Sequence, residues 1–377
     1  MLTMDDDRVI KEALRWRASL PMDPPAAKEP PASHHLRARL APLAAGLGAL
    51  TVCGILLALL WPLARGDDQG AAGTSPLTFT VNATWEVPGA PVAVLPDGDS
   101  VLVATVGELA STTIYRVRGS TEPEVVMTSQ SAVVDMAATP TQIWMSTFKP
   151  GGEPELIAVD PATFEPSLVI ADLANPIAAD AGHVYASALS GGGTRVVSLD
   201  AETGRELAHY ESPNRVMNLL TNEGLVYLMP LEGTLIRVLD DELKPLGTIS
   251  PEGDWAASGL GSSTNSFTVL IRRGSDAYLE HFTDLGVQPG WTVPSEGGPI
   301  GTTSQAVVTS NEIGDIIALD LLTGDTLATI SLSSGVGGGS VFPTAAVEGD
   351  SVWVAGHKGE VTQLTLGTSQ VRSEILS

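Results

Sequence analysis

Val196-Val197-Ser198-Leu199-Asp200-Ala201-Glu202-Thr203-Gly204 is the stretch that decides the fold, because the chain repeats it. Leu156-Ile157-Ala158-Val159-Asp160, Ile236-Arg237-Val238-Leu239-Asp240 and Ile316-Ile317-Ala318-Leu319-Asp320 are further copies. Anchored on the residue that follows each run, the series is Arg118, Asp160, Asp200, Asp240, Asp284, Asp320 and Thr365. Its spacings are 42, 40, 40, 44, 36 and 45. A second apolar run stands ahead of each: Val101–Thr105, Ile143–Thr147, Val184–Ala188, Val226–Pro230, Phe267–Ile271, Ala306–Ser310 and Val352–Gly356. The starts of these runs lie 42, 41, 42, 41, 39 and 46 residues apart. Two independent landmarks in one register define seven copies of one supersecondary unit.

Hairpin turns such as Pro96-Asp97-Gly98-Asp99 and Asp180-Ala181-Gly182-His183 separate the runs, with Gly supplying the positive φ the turn needs. A weaker apolar segment precedes each first run (Ile177-Ala178-Ala179) and another follows each second run (Glu206–Tyr210). Four antiparallel strands in about forty residues, with no helical stretch, describe a propeller blade. The small residues of the first strong run predict that this run lines the crowded axis. Phe79–Val87 reads as a strand that pairs with the last blade and closes the ring.

Asp200-Ala201-Glu202-Thr203-Gly204 and Asp320-Leu321-Leu322-Thr323-Gly324 share the form Asp-x-x-Thr-Gly, and Asp160-Pro161-Ala162-Thr163 is a degraded copy. An Asp at the first turn position accepts backbone N–H bonds, and Gly ends the turn left-handed. The turn alone explains these aspartates, which makes them structural rather than catalytic or metal-binding.

Asp-x-x-Thr-Gly after an apolar strand resembles the blade signature of the quinoprotein-like propellers, including the PQQ-like and YVTN-type repeats. The resemblance covers roughly residues 85–377. Leu207 and Leu327 stand where many PQQ-type repeats carry a Trp after the glycine, and the Gly-His and Trp-Asp pairs of WD40 repeats are missing. The resemblance implies a prokaryotic cell-envelope protein. Enzymatic members of that superfamily commonly use adjacent cysteines and a calcium-binding acidic cluster. Cys53 is the sole cysteine here, so the cysteine pair cannot form.

That one cysteine also excludes an intrachain disulfide and paired-cysteine metal sites. Val52 before it, and its place in mid-run, argue against a lipidation box. The chain of 377 residues carries a net charge of −24, most of it in residues 65–377, with 13 Lys/Arg against 38 Asp/Glu. Such a surface repels phosphate backbones and excludes nucleic acid as a partner of this region.

Residues 41–64 contain no charged residue and are long enough to cross a bilayer as one helix. Arg37 and Arg39 precede the run, whereas Asp67 and Asp68 follow Arg65. That asymmetry places the N-terminus in the cytoplasm and the C-terminal region outside. A cleaved signal peptide is the alternative, but forty preceding residues are too many for a charged leader. Residues 1–40 form the cytoplasmic segment, with a short helix at 5–20 and a Pro-rich stretch at 21–33. Residues 65–76 are a flexible tether, and 77–377 the propeller. Leu14 and Trp16 on the short helix are candidates for docking a cytoplasmic partner; the competing reading is a weakly ordered leader.

The expected architecture is therefore an all-β, seven-bladed propeller of four-stranded antiparallel blades, preceded by one transmembrane helix and a short cytoplasmic segment. Catalytic text is thin. His183, His209, His281 and His357 show no metal-ligand spacing, and neither a serine elbow nor a phosphate loop is present. No cofactor and no metal are expected. The candidate ligand- or partner-binding residues lie on loops entering the inner strands: Asn175, Asn214, Arg215, Asp254 and Trp255, with the Ser333–Ser340 stretch. Arg and Trp are favoured at binding hot spots. Trp144, Trp353, Tyr185 and Tyr227 occupy an apolar strand position instead and should pack between blades. The leading functional expectation is a non-catalytic envelope scaffold binding a protein or small ligand at a propeller face. The alternatives are a quinoprotein-like or lyase-type envelope enzyme and a transmembrane sensor with a cytoplasmic docking helix.

Overall fold

The computed structural model describes residues 77–368 except 108–110, 191, 223, 264–265, 284–288, 296, 312–313 and 333–343. The readings at Leu14, Trp16, residues 41–64, Asp284 and Ser333–Ser340 lie outside the described residues. No helix among the described residues is long and apolar enough to cross a membrane.

Strand β1 (Leu77–Glu86) opens the described chain. Blade 1 is β2 (Ala90–Asp97), β3 (Ser100–Val106), β4 (Thr112–Arg118) and β5 (Glu124–Ser129). Blade 2 is β6 (Ala132–Ala138), β7 (Ile143–Phe148), β8 (Pro154–Val159) and β9 (Pro166–Ala171). Blade 3 is β10 (Ala174–Ala179), β11 (His183–Ser190), β12 (Gly193–Asp200) and β13 (Glu206–Ser212). Blade 4 is β14 (Val216–Asn222), β15 (Leu225–Pro230), β16 (Ile236–Asp240) and β17 (Pro245–Ile249). Blade 5 is β18 (Trp255–Ser263), β19 (Ser266–Arg273), β20 (Asp276–Phe282) and β21 (Trp291–Pro294). Blade 6 is β22 (Pro299–Thr302), β23 (Ala306–Ser310), β24 (Asp315–Asp320) and β25 (Thr326–Ser331). Blade 7 is β26 (Ala345–Glu348), β27 (Ser351–Ala355), β28 (Glu360–Thr368) and, as its fourth strand, β1.

All seven sheets are four-stranded and antiparallel in this order. The two landmarks fall on the second and third strands of each blade. The first strands touch one another in sequence, β2 beside β6, β6 beside β10, and so on until β26 meets β2. They line the axis. This corrects the expectation that the strongly apolar run sits there. That run is the second strand, buried on both faces, so it reads as a continuous hydrophobic string. The strand at the axis is half-buried and reads weakly.

The core is a set of layers between blades. Leu102, Ile114, Met145 and Val159 join blades 1 and 2. Trp144 packs between blades 2 and 3, Tyr185 between 3 and 4, Tyr227 between 4 and 5, and Trp353 between 7 and 1. All four rings are essentially fully buried, as their shared register predicted. Blades 6 and 7 approach closely at Gly301, where a β-carbon would lie 2.4 Å from Val347.

The ring closes as expected. β1 pairs with β28 from Leu77↔Thr368 to Glu86↔Glu360, with an irregularity around Asn82. Trp85 of β1 stacks on Trp353 at 5.8 Å, and the Val87 amide donates to the Gly359 carbonyl at 2.8 Å. In blade 7 the marker residue Thr365 lies inside a strand rather than in a turn, because β28 runs on to Thr368 to receive β1.

The aspartate turns follow their chemistry. Asp200 Oδ1 accepts from the Thr203 amide at 2.8 Å and the Thr203 hydroxyl at 2.6 Å. Asp160, Asp240 and Asp320 accept two backbone amides each in the same way. The residue closing each turn is left-handed: Gly204 (φ 66°), Gly324 (φ 74°), and the non-glycines Phe164 (φ 58°) and Leu243 (φ 61°). Where Gly closes the turn, the preceding blade fills the space. A β-carbon on Gly204 would meet Ile170 at 3.1 Å. Where a large residue closes it, that side chain plugs the preceding blade itself. Phe164 is buried in the layer between blades 1 and 2, and Leu243 in that between blades 3 and 4. Arg116 of blade 1 lies over the Phe164 ring at 5.0 Å and donates to the Pro161 carbonyl at 3.0 Å.

Candidate functional site

Alternating strand direction sorts the connections onto two faces. The turn face carries the aspartate turns and the hairpins between first and second strands. The loop face carries the hairpins between second and third strands and the crossings from each outer strand to the next inner strand. Asn175, Asn214, Arg215, Asp254 and Trp255 all lie at such crossings, hence on the loop face.

They do not form one cluster. Asn214 and Arg215 sit between β13 and β14 and line a cleft of about 160 Å³ with Gly192, Pro213, Leu231 and Glu232. A shallower opening of about 490 Å³ continues from it across Gly192 and Pro213 to Ser190, Gly193, Glu211 and Ser212. The cleft thus spans the seam between blades 3 and 4. Backbone contacts fix its walls. The Leu231 amide donates to the Arg215 carbonyl at 2.7 Å, and the Ser212 hydroxyl to the Asn214 carbonyl at 2.8 Å. Gly193 permits the close approach of one wall, since a β-carbon there would lie 2.1 Å from the Ser212 carbonyl oxygen.

Arg215 is the cation of this cleft. Several cations of the described residues are paired: Lys149 with Glu155 at 2.7 Å, Arg195 with Glu206 at 2.6 Å, Arg116 with Asp97 at 3.3 Å, and Arg273 with the fully buried Glu280. The Arg215 side chain is half-buried, and no ion pair or hydrogen bond of its guanidinium is found among the described residues. A planar five-donor group held at a cleft wall suits a carboxylate brought by a partner. Leu231 and the exposed Leu235 of the neighbouring hairpin add apolar surface.

The other candidates hold local structure or stand apart. Asp254 accepts the Gly274 amide at 2.7 Å and donates its own amide to the Arg272 carbonyl at 2.7 Å, which ties a crossing to a hairpin within blade 5. Trp255 opens β18 opposite Arg272. Asn175 is exposed, and its carbonyl accepts the Ser187 hydroxyl at 3.2 Å. Neither Asn175 nor Asp254 lines the blade 3–4 cleft. Sequence reasoning missed Leu231, Glu232 and Pro213; the glycine run ahead of β12 was the available signal.

The histidines do not converge. His183 contacts Asp180 on the turn face at 3.3 Å, His209 contacts Glu206 on an outer strand at 3.1 Å, and His357 is exposed on a blade 7 hairpin. His281 is buried in blade 5, hydrogen-bonded to Thr268 at 2.8 Å and stacked on Trp291 at 5.0 Å. Burial holds its pKa below the usual value. Tyr185 is pushed well above the usual phenol range by burial and then by the charge of Asp180. Among the described residues, no group of three or more His, Cys, Asp or Glu side chains is placed to hold a metal ion.

Comparison with solved structures finds the same architecture in proteins of low identity. BamB from Moraxella catarrhalis is 12% identical, with 76% of this chain and 99% of that chain covered and a TM-score of 0.51. The Pan2 WD40 domain of Neurospora crassa is 10% identical, with 76% and 95% covered and a TM-score of 0.57. The WD40 propeller domain of Doa1 is 12% identical, with 78% and 98% covered and a TM-score of 0.58. No curated protein sequence matches. The model of the PQQ_2 family, described as outer membrane protein assembly factor BamB, matches residues 129–375. The seven four-stranded blades and this match, which spans well over half of the sequence, place the chain in the PQQ_2 family.

Proposed function

We propose that this protein is a non-catalytic binding platform of the cell envelope, which holds a protein partner on its loop face at the seam of blades 3 and 4. The observation that carries this reading is Arg215, a half-buried guanidinium at a cleft wall without an ion pair among the described residues. A partner carboxylate satisfies it, and Leu231, Leu235 and Pro213 offer apolar contact beside it. Membership in a family described by an outer membrane assembly factor supports a protein partner rather than a reaction. Residues 41–64 anchor the chain by a single span, with residues 1–40 in the cytoplasm and the propeller outside; the charge asymmetry around that run supports this orientation.

The test replaces Arg215 with Glu in the full chain and follows its envelope partner by co-purification. Arg215→Glu should reduce partner recovery at least about tenfold, since reversing one charge in a desolvated contact costs more than 1.4 kcal/mol. Glu202→Arg, on the exposed turn face, should leave recovery unchanged. Equal loss from both variants contradicts the assignment.

A further inference from the structure

The outer strands are the open edges of a propeller, and most are blunted here. In blades 1, 2, 3, 4 and 6 the third and fourth strands slip register near the start of the outer strand, leaving Val126, Ser167, Leu207, Leu246 and Leu327 as bulges. β1 is interrupted at Asn82. β5 starts with Glu124, β13 carries Glu206, His209 and Glu211, and β17 and β21 are short and contain Pro. β25 exposes Thr326, Thr329 and Ser331. These are the devices by which sheets avoid edge-to-edge pairing.

β9 of blade 2 shares the bulge and an initial Pro166 but departs from this pattern beyond them. Beyond its bulge it runs straight through Leu168-Val169-Ile170-Ala171, paired on one side with β8 and on the other with no strand among the described residues. No charge, Gly or Pro lies in that run. Val169 at its centre is 58% exposed, whereas Leu168 and Ile170 point the other way, toward Gly204 of blade 3. An uncharged, straight, aliphatic edge is a template for an added strand.

We infer that β9 is a second docking site, which takes an extended apolar strand of another protein flanked by basic residues. The charges at its ends choose the occupant. Glu165 and Asp172 are both exposed and frame the strand. A second copy of this chain fits badly: antiparallel pairing centred on Val169, with the bulge at Ser167 counted, would bring Glu165 of each copy beside Asp172 of the other. With −24 formal charges on each chain, long-range repulsion adds to that clash. A strand with lysines or arginines at its ends turns both contacts favourable. Its backbone supplies the hydrogen bonds, and Val169 the apolar register.

The probe is a fluorescein-labelled nonapeptide, Val-Thr-Val-Thr-Val between two lysines at each end, titrated by anisotropy into the full chain. It should bind at least about tenfold more tightly than its glutamate-flanked counterpart and than a version N-methylated at alternate amides. Val169→Lys should weaken it by a similar factor, while Arg215→Glu should leave it unchanged, which separates this site from the cleft. Glu165→Lys combined with Asp172→Asn should shift preference toward the glutamate-flanked peptide, a gain that misfolding cannot produce; Asn is chosen because Asp172 is left-handed (φ 65°). Equal binding of the N-methylated peptide, an unaffected Val169→Lys variant, or self-association through Val169 in place of peptide binding would each overturn the proposal.

Discussion

Gly324 lies directly against Trp291: a β-carbon on Gly324 would sit 2.9 Å from Trp291 Cδ2, and the indole N–H donates to the Leu321 carbonyl at 3.0 Å. The outer strand of blade 5 and the aspartate turn of blade 6 thus lock together through one ring. Gly324→Ala meets both a left-handed backbone and a closed space, so it should cost roughly 2–5 kcal/mol. Gly98 has a similar φ of 63° but nothing within 4 Å, so Gly98→Ala should cost only about 1 kcal/mol. Urea midpoints of the two variants check the difference, and equal losses would show that the Trp291 contact contributes nothing.

Ring closure rests on Trp85, which brings the first described strand onto blade 7. Trp85→Ala should cost about 3–5 kcal/mol, the usual range for emptying a buried tryptophan site. Amide exchange in β28 should accelerate more than in β12. Uniform acceleration across all blades would instead indicate that the whole ring opens as one unit.

The repeat, the blade count, the aspartate turns and the closing strand were all legible in the sequence, because each has a local signature. Asp200 and Thr203 announce their turn within four residues. Trp144 and Tyr227 announce burial by their place in the second strand. What misled was hydrophobic strength. The second strands are the most apolar because both their faces are covered, whereas Val134 and Met217 on the axial strands are only half-buried. The candidate site was legible only as a class of loops. Asn214 and Arg215 share a cleft and Asp254 does not, because the hairpin bearing Leu231, 16 residues beyond Arg215, folds back to complete the wall. Leu207 and Leu327 look like missing tryptophans in the sequence, and the structure places both in outer-strand bulges.

Two adjacent residues should give opposite pH slopes. Glu280 is fully buried, and its pKa is raised from 4.5, mainly by burial, with Arg273 offsetting part of the rise. The folded state holds that proton more tightly, so stability falls as pH rises from 4.5 through the folded value. His281 is lowered from 6.5 by burial, so stability falls as pH drops below 6.5 through its folded value. Glu280→Gln should flatten the first slope and His281→Gln the second in urea titrations from pH 4 to 8. Parallel profiles for variant and parent would refute either assignment.

Further into acid, the aspartate turns should give way. The Thr203 hydroxyl and then its amide hold Asp200 below the usual 3.8, and the Thr163 and Ala162 amides do the same for Asp160. Their contribution is complete above 3.8 and is lost as pH falls through the lower folded values. Asp200→Asn should be less stable than the parent at neutral pH and should lose less between pH 4 and 2. An undiminished acid loss in Asp200→Asn would place the sensitivity elsewhere.

The lone cysteine makes membrane orientation testable. In a Cys53→Ser background, a cysteine placed at Leu322, which is 84% exposed, should react with an impermeant maleimide in intact cells. A cysteine at Ser33 should react only after lysis. Labelling of both sites in intact cells, or of Ser33 alone, would reverse or remove the proposed anchor.

The central claim, a partner held on the loop face, is tested most directly by photo-crosslinking in cells from position 214, with position 202 on the turn face as reference. A discrete protein adduct from position 214 that disappears with Arg215→Glu, and none from position 202, is the predicted result. Adducts from position 202 alone, or adducts from position 214 that persist in Arg215→Glu, would contradict it.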